Sequence, residues 1–159
     1  MGKPLVIVGH GLVERQVLGP ETAEGRPTLR IITLRRYRCR ACKAIVMVGP
    51  GGLVVRRWYG AGAIALAFAV VARGGTSGAA RVRTSPSRAV GASAADRWVT
   101  VDRWIEAARR GALFGVAGLG GLARRHVAEQ VVLALAARAG RDLGAELVES
   151  AFAGASIAA

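Results

Sequence analysis

The sequence predicts an α+β fold, a small N-terminal antiparallel β unit followed by a mainly α-helical region, and three observations carry that reading. Residues 28–37 (TLRIITLRRY) set β-branched side chains against arginines at near-alternate spacing, as a strand with one packed and one solvated face requires. From Ala61 onward the apolar spacing becomes that of helices, punctuated by glycine. Charge follows the same division: residues 1–59 carry 11 basic and 3 acidic side chains, residues 60–110 carry 8 and 3, and residues 111–159 carry 4 and 4.

In the first part, Leu5 to Val8 and Leu12 to Leu18 read as short strands on either side of a His10-Gly11 turn, and Gly19-Pro20 ends the second. Glu21 to Pro27 is a polar loop. Thr28 to Tyr37 is the arginine-bearing strand, Cys39 to Cys42 a turn, and Ala44 to Val48 a returning strand broken by Gly49-Pro50-Gly51-Gly52.

The helical part begins at Ala61, with Ile64, Ala65, Phe68 and Val71 on one face and Gly74-Gly75 as the stop. A short helix over 76–83 takes Thr76 or Ser77 as N-cap, and Ser85-Pro86 opens a third piece reaching Ala95. The clearest helix is Thr100 to Arg110. Thr100 is its expected cap, Val101, Trp104, Ile105 and Ala108 form its apolar stripe, and Gly111 sits just past its end. Arg103, Glu106 and Arg110 occupy the opposite face. Gly111 to Gly121 reads as a flexible linker. It leads to a helix in which Val127, Val131, Ala134 and Leu135 share a face, and a last helix is expected over Asp142 to Phe152. Three units follow from this: 1–57, 58–111 and a neutral 112–159 suited to packing or to homodimerisation through its helices.

At 159 residues and 52% hydrophobic content the chain can build a real core. Its 23 Lys and Arg against 10 acidic residues give a net charge of +13, which favours densely anionic partners, double-stranded DNA first. Only Lys3 and Lys43 are lysines. A GC-rich gene inflates arginine, but it does not explain the scarcity of Asp and Glu. The run Pro4 to Val8 is too short for a signal peptide, and the uncharged stretch Trp58 to Ala72 falls short of the roughly 18 to 20 residues that span a bilayer. A cytoplasmic protein with no membrane partner is expected.

The sharpest chemical feature is Cys39-Arg40-Ala41-Cys42, because two thiolates at this spacing grip one edge of a tetrahedral zinc. Only His10 and His126 could complete such a site in one chain. One structural zinc, a metal-free pair, a site shared between two chains and a redox pair all remain open at this point, although the redox reading wants a βαβ context. Gly60-Ala61-Gly62-Ala63-Ile64-Ala65 matches a dinucleotide-binding fingerprint in letters only, since no buried strand precedes it and no acidic residue stands about 20 positions on. Gly115 to Gly121 ahead of Arg124 and Arg125 could seat a phosphate, but reads first as a linker. Metal-dependent catalysis needs converging carboxylates. The aspartates are only Asp96, Asp102 and Asp142, and Glu106, Glu129, Glu146 and Glu149 lie on helical faces, so no enzyme is expected. Trp58, Trp98 and Trp104 are expected to pack.

The order His10-Gly11, basic strand, Arg35-Arg36-Tyr37-Arg38-Cys39-Arg40-Ala41-Cys42, short strand, then Arg56-Arg57-Trp58-Tyr59 leading into an apolar helix resembles the zinc-ribbon and helix-turn-helix region of bacterial transposase-related proteins. The resemblance covers residues 9–110. In that family a first C-x-x-C lies just upstream of the His-Gly step, and the helices that follow bind transposon-end DNA. It implies a zinc-ribbon-like β unit, a helix-turn-helix-like region, and Cys39 and Cys42 as zinc ligands. Two departures stand out: Met1 to Val8 holds no cysteine, and Lys43 replaces the glycine usual after the second pair. The implied function is a non-catalytic DNA-binding protein, truncated or degenerate relative to its transposon-derived relatives. Arg35, Arg36, Arg38, Arg40, Arg56 and Arg57 of the β unit are its candidate contacts. Arg81, Arg83 and Arg97 suit phosphates, and Arg103 and Arg110 of the expected recognition helix suit base edges or phosphates. The competing reading is a helical protein-interaction or oligomerisation module that does not bind nucleic acid.

Overall fold

A computed structural model describes residues 6–87, 97–140 and 147–158. Strands β1 (Ile7–Gly19), β2 (Thr28–Cys39) and β3 (Ile45–Val48) form an antiparallel sheet in that order. Five helices follow among the described residues: α1 (Ala61–Ala72), α2 (Ser77–Thr84), α3 (Val99–Arg109), α4 (Arg124–Arg138) and α5 (Leu147–Ala158). The α+β arrangement is the one the sequence predicts.

His10-Gly11 is not a turn. The pairing of β1 with β2 passes from Gly9 opposite Tyr37 to Leu12 opposite Arg35, so two residues face the single Arg36. This is a β-bulge, with Gly11 at φ 91°, and it carries one continuous strand through the site of the expected break.

Helix α1 is buried around almost its whole girth, from Ala61 to Ala69 and at Val71, rather than on one face. A helix apolar on every side belongs in a core, and α2, α4 and α5 surround this one. Small residues let the neighbours approach: the Phe152 ring lies over Gly62, and α5 crosses α4 so closely at Gly154 that a Cβ there would overlap the Leu135 carbonyl.

The helix stops follow the sequence. At the end of α1 the N–H of Gly74 reaches the Val71 carbonyl and that of Gly75 the Val70 carbonyl, and Gly111 and Ala112 repeat the pattern on Ala108 and Ala107. Thr76 caps α2 by accepting from the Ala79 N–H at 3.1 Å. Helix α3 departs from expectation: it starts at Val99, and its N-cap is Trp98, with no side-chain cap bond, instead of Thr100. Packing sets this entrance, since Trp98 and Trp104 stack edge-to-face with each other at 5.1 Å and with Tyr59 at 5.6 and 5.0 Å.

The expected linker 111–121 is fixed in place. Leu113, Phe114 and Leu119 are buried, Arg138 donates to the Phe114 carbonyl at 2.7 Å, and Arg109 to the Leu122 carbonyl at 2.8 Å. Ser85 is not helical, and the rest of the piece predicted to reach Ala95 lies largely outside the described residues. The last helix runs further than predicted, to Ala158, and residues 142–146 of the prediction lie outside those described. One hydrophobic cluster extends from Ala61 through Trp104 and Val131 to Ala155, so 58–111 and 112–159 share a core.

Candidate nucleic-acid interface

Cross-strand pairing assigns each residue of the sheet to a face. Val13, Arg15 and Val17 of β1 pair with Leu34, Ile32 and Arg30 of β2, and this face turns toward the segment 49–60. Gly49 lies against Leu34, Gly60 lies over Val17, and the Arg15 guanidinium donates to the carbonyls of Val54 and Arg57. Hydrogen bonds from Leu18 to the Trp58 carbonyl (2.7 Å) and from Gly60 to the Leu18 carbonyl (3.0 Å) complete the junction with α1. Beyond Leu34 the sheet runs on with little cover. All four residues of β3 are exposed, and so are Leu12 and Ile31 on the opposite face.

This projecting arm carries four of the predicted arginines, divided by the pleat. Arg35 lies on the outer face with its guanidinium 5.7 Å from the centre of the Tyr37 ring. Arg36 and Arg38 lie on the other face, opposite Met47 and Ile45 of β3. Arg40 sits in the turn beyond. Arg56 is exposed at φ 58°, and Arg57 is half-buried with its carbonyl held by Arg15. Among the described residues no carboxylate pairs with Arg35, Arg36, Arg38, Arg40, Arg56 or Arg57.

The helical arginines are more constrained. Arg83 donates to the Ala23 carbonyl at 3.1 Å and lies 3.9 Å from Glu24. Arg110 shares Glu106 with Arg109, at 3.6 and 3.4 Å. Asp102, on the same helix, engages Arg124 at 2.9 Å. Arg103 and Arg97 are exposed, and Arg81 is half-buried on α2. The expected recognition helix is therefore close to charge balance along its solvated face, whereas the arm is not. Sequence reasoning passed over Arg15, the strand's anchor to the segment behind it, although its place between Val13 and Val17 marks the packed face. It also passed over a plain signal: no Asp or Glu stands between Glu24 and Asp96, a stretch that holds thirteen Lys and Arg.

The arm ends in the cysteine turn. The Cys39 N–H donates to the Ala44 carbonyl at 2.9 Å, the Lys43 N–H to the Cys39 carbonyl at 3.0 Å, and Lys43 takes φ 64°. A glycine meets that φ without strain, which gives the unusual Lys43 its structural meaning. Hydrogen bonds from the Cys42 amide, the Cys42 thiol and the Ala41 amide, with the Lys43 charge nearby, hold the Cys39 thiol below its ordinary pKa against the opposing effect of burial. Cys42 is exposed.

Among the described residues, no further ligand stands beside the two cysteines to complete a zinc site within one chain. His10 lies at the bulge opposite Arg36, three residues along β2 from Cys39, or about 10 Å at the rise of a strand. His126 lies on α4. Among the described residues no group of three His, Cys, Asp or Glu could hold a metal ion.

Elsewhere, a cavity of about 290 Å³ is bordered by Glu24, Glu149, Arg73 and Arg83 over an apolar floor. Arg83 lies 3.9 Å from Glu24 there, an ion pair and not a group of carboxylates that could grip a divalent metal. The Gly60–Ala65 step is closed to a pyrophosphate, since the Ala61 N–H is given to the Gly52 carbonyl and Phe152 covers Gly62. Trp98 and Trp104 pack as expected, but Trp58 is 64% exposed. No helix among the described residues is long and apolar enough to cross a membrane. No protein family, curated protein or solved structure matches the chain.

Proposed function

We propose that the chain is a non-catalytic protein that binds duplex DNA through the arginine-bearing arm of its sheet, and that it is related to the DNA-binding regions of transposases. The observation that carries this reading is the set of arm cations, Arg35, Arg36, Arg38 and Arg40, left without a carboxylate partner among the described residues. Unneutralised guanidiniums at this density repel one another, and a phosphate backbone relieves the repulsion while releasing its counterions. Their division between two faces suits a ribbon lying in the major groove, where phosphates line both walls. Arg56, Arg57 and Arg103 add to the field, and Arg97 stands at the entrance to α3.

Fluorescence anisotropy with a labelled duplex across a salt series tests this. With four to six phosphates engaged, the slope of log K against log salt should lie near −4 to −5 at roughly −0.9 per contact. Replacing Arg36 and Arg38 together with alanine should flatten the slope by about 2 and weaken all duplex sequences alike. No measurable affinity at low salt removes the proposal. The protein-interaction reading draws on the exposed Leu12 and Ile31, 65% and 61% accessible. A stable oligomer without affinity for DNA would select it.

A further inference from the structure

Trp58 stands bare on a backbone that is held in place. Its side chain is 64% accessible, whereas Trp98 and Trp104 are buried against each other and Tyr59. Among the described residues no ring or guanidinium covers its indole. Residues 54–57 form a turn closed by the Arg57 N–H on the Val54 carbonyl at 3.2 Å, and the Arg15 guanidinium donates to the carbonyls at both ends of it. The Trp58 carbonyl accepts from the Leu18 N–H at 2.7 Å. Within the turn Val55 is exposed and Arg56 takes φ 58°, a left-handed conformation that glycine adopts more readily than any residue with a side chain.

We infer that Trp58 is a stacking platform for an unpaired base, with Arg56 and Arg57 as the adjoining phosphate contacts, so that the chain engages single-stranded or locally opened DNA as well as duplex. Resting on the DNA reading above, this adds a second class of ligand to it. An indole can take the flat face of any base. In a perfect duplex both faces of an internal base are covered by its neighbours, so the indole gains only where a base is unstacked.

Charge selects a nucleic acid over other partners that would cover an exposed Trp. Among the described residues Arg56 and Arg57 have no carboxylate partner, so a neutral apolar surface laid on Val55 and Trp58 would leave both cations unmatched, whereas a nucleotide brings a ring and an anion together. The pleat adds further cations on the same side. Leu34, Arg36 and Arg38 alternate onto one face of β2, the face that the segment 49–60 covers at Leu34 and Val17. A strand running along Arg36 and Arg38 therefore lies on the side of the sheet that carries the turn. Because the hydrogen bonds of Arg15 and Leu18 already fix the backbone, little order has to be gained on binding.

The test titrates the full-length protein with a short single strand, with the duplex it forms with its complement, and with that duplex carrying an unpaired base, following anisotropy and tryptophan emission together. Trp98 and Trp104 are 8% and 2% accessible, so a change of emission on binding reports Trp58. The single strand and the unpaired base should quench it, and the perfect duplex should not. Trp58→Ala, a change at an exposed position, should weaken single-strand binding about tenfold and leave duplex binding and its salt slope as they were. Trp58→Phe should keep most of the single-strand affinity. Duplex binding with no quenching by the single strand, and with Trp58→Ala indistinguishable from the parent on every probe, overturns the inference and leaves the duplex reading standing. Single-strand binding that depends on Trp58, without duplex affinity, supports the inference and removes the duplex reading. Heparin, a polyanion without bases, or vesicles of phosphatidylglycerol that quench as deeply as the single strand overturn it, since the indole then answers to charge or to lipid. No affinity for any of the three DNA probes overturns both.

Discussion

Arg15 stands on β1 between Val13 and Val17, and its guanidinium spans the gap to the segment behind the sheet, donating to the carbonyls of Val54 and Arg57. The Val54 carbonyl also accepts from the Arg57 N–H at 3.2 Å, so the Arg57 carbonyl is the one that leans most on this donor. Arg15→Met keeps most of the stem packing and removes the donors, so the cost isolates the hydrogen bonds. A loss of about 2 kcal/mol is expected, the range for bonds to a charged donor, read as a lower urea midpoint at unchanged m-value. A shift below about 0.5 kcal/mol would show that water serves the two carbonyls as well. Cys39 is a different case at the same scale. Its thiol pKa is lowered in the folded chain, so the thiolate form favours folding. That contribution is present above the ordinary thiol pKa and is lost as pH falls through the lowered value.

At the scale of elements, the central helix and its partners depend on what glycine and alanine omit. A Cβ at Gly154 would meet the Leu135 carbonyl, which is backbone and cannot turn aside, whereas one at Gly62 would meet the Phe152 ring, which can. Gly154→Ala should therefore cost about 3 kcal/mol, the upper end for overpacking, and more than Gly62→Ala. Thermal unfolding of the two variants side by side checks the order. The same elements show what the sequence discloses. Thr28–Tyr37 and the stripe Val101, Trp104, Ile105, Ala108 were readable because one element sets their period, and Gly74 and Gly111 because a helix stop is a local demand for positive φ. The bulge at His10-Gly11 was not, since its identity as bulge or turn depends on Arg36 opposite. Nor was the start of α3, which rests on the contacts of Trp98 with Tyr59 and Trp104. Alanine and glycine hid the full burial of α1, because they weigh little in any apolar pattern. The candidate site divides in the same way. Its arginines were visible as residue types, but whether a carboxylate reaches them, as Glu106 reaches Arg110, is settled only by the fold.

For the whole molecule, the sequence suggests a boundary at Gly111, where glycine density rises and net charge falls to zero. The structure runs one core across it. Val127, Val131 and Val132 of α4, with Ala151 and Ala155 of α5, are buried in the cluster that holds Ile64 and Phe68, and Phe114 meets Phe68 edge-to-face at 6.5 Å. Each buried Val, Leu or Phe contributes about 1.5 to 3 kcal/mol, and a domain's net stability is about 5 to 15 kcal/mol. Removing α4 and α5 together takes away more apolar burial than such a margin can absorb. It also bares one of the most apolar segments of the chain, Ala61 to Val71. A fragment of residues 1–111 is therefore expected to lose its cooperative thermal transition, to bind a hydrophobic dye, and to lose the near-ultraviolet circular dichroism of the Tyr59, Trp98 and Trp104 cluster, although all three aromatics are still present. If that aromatic signal and a sharp transition both persist in the fragment, residues 58–111 fold without the C-terminal helices, and the boundary at Gly111 divides two units after all.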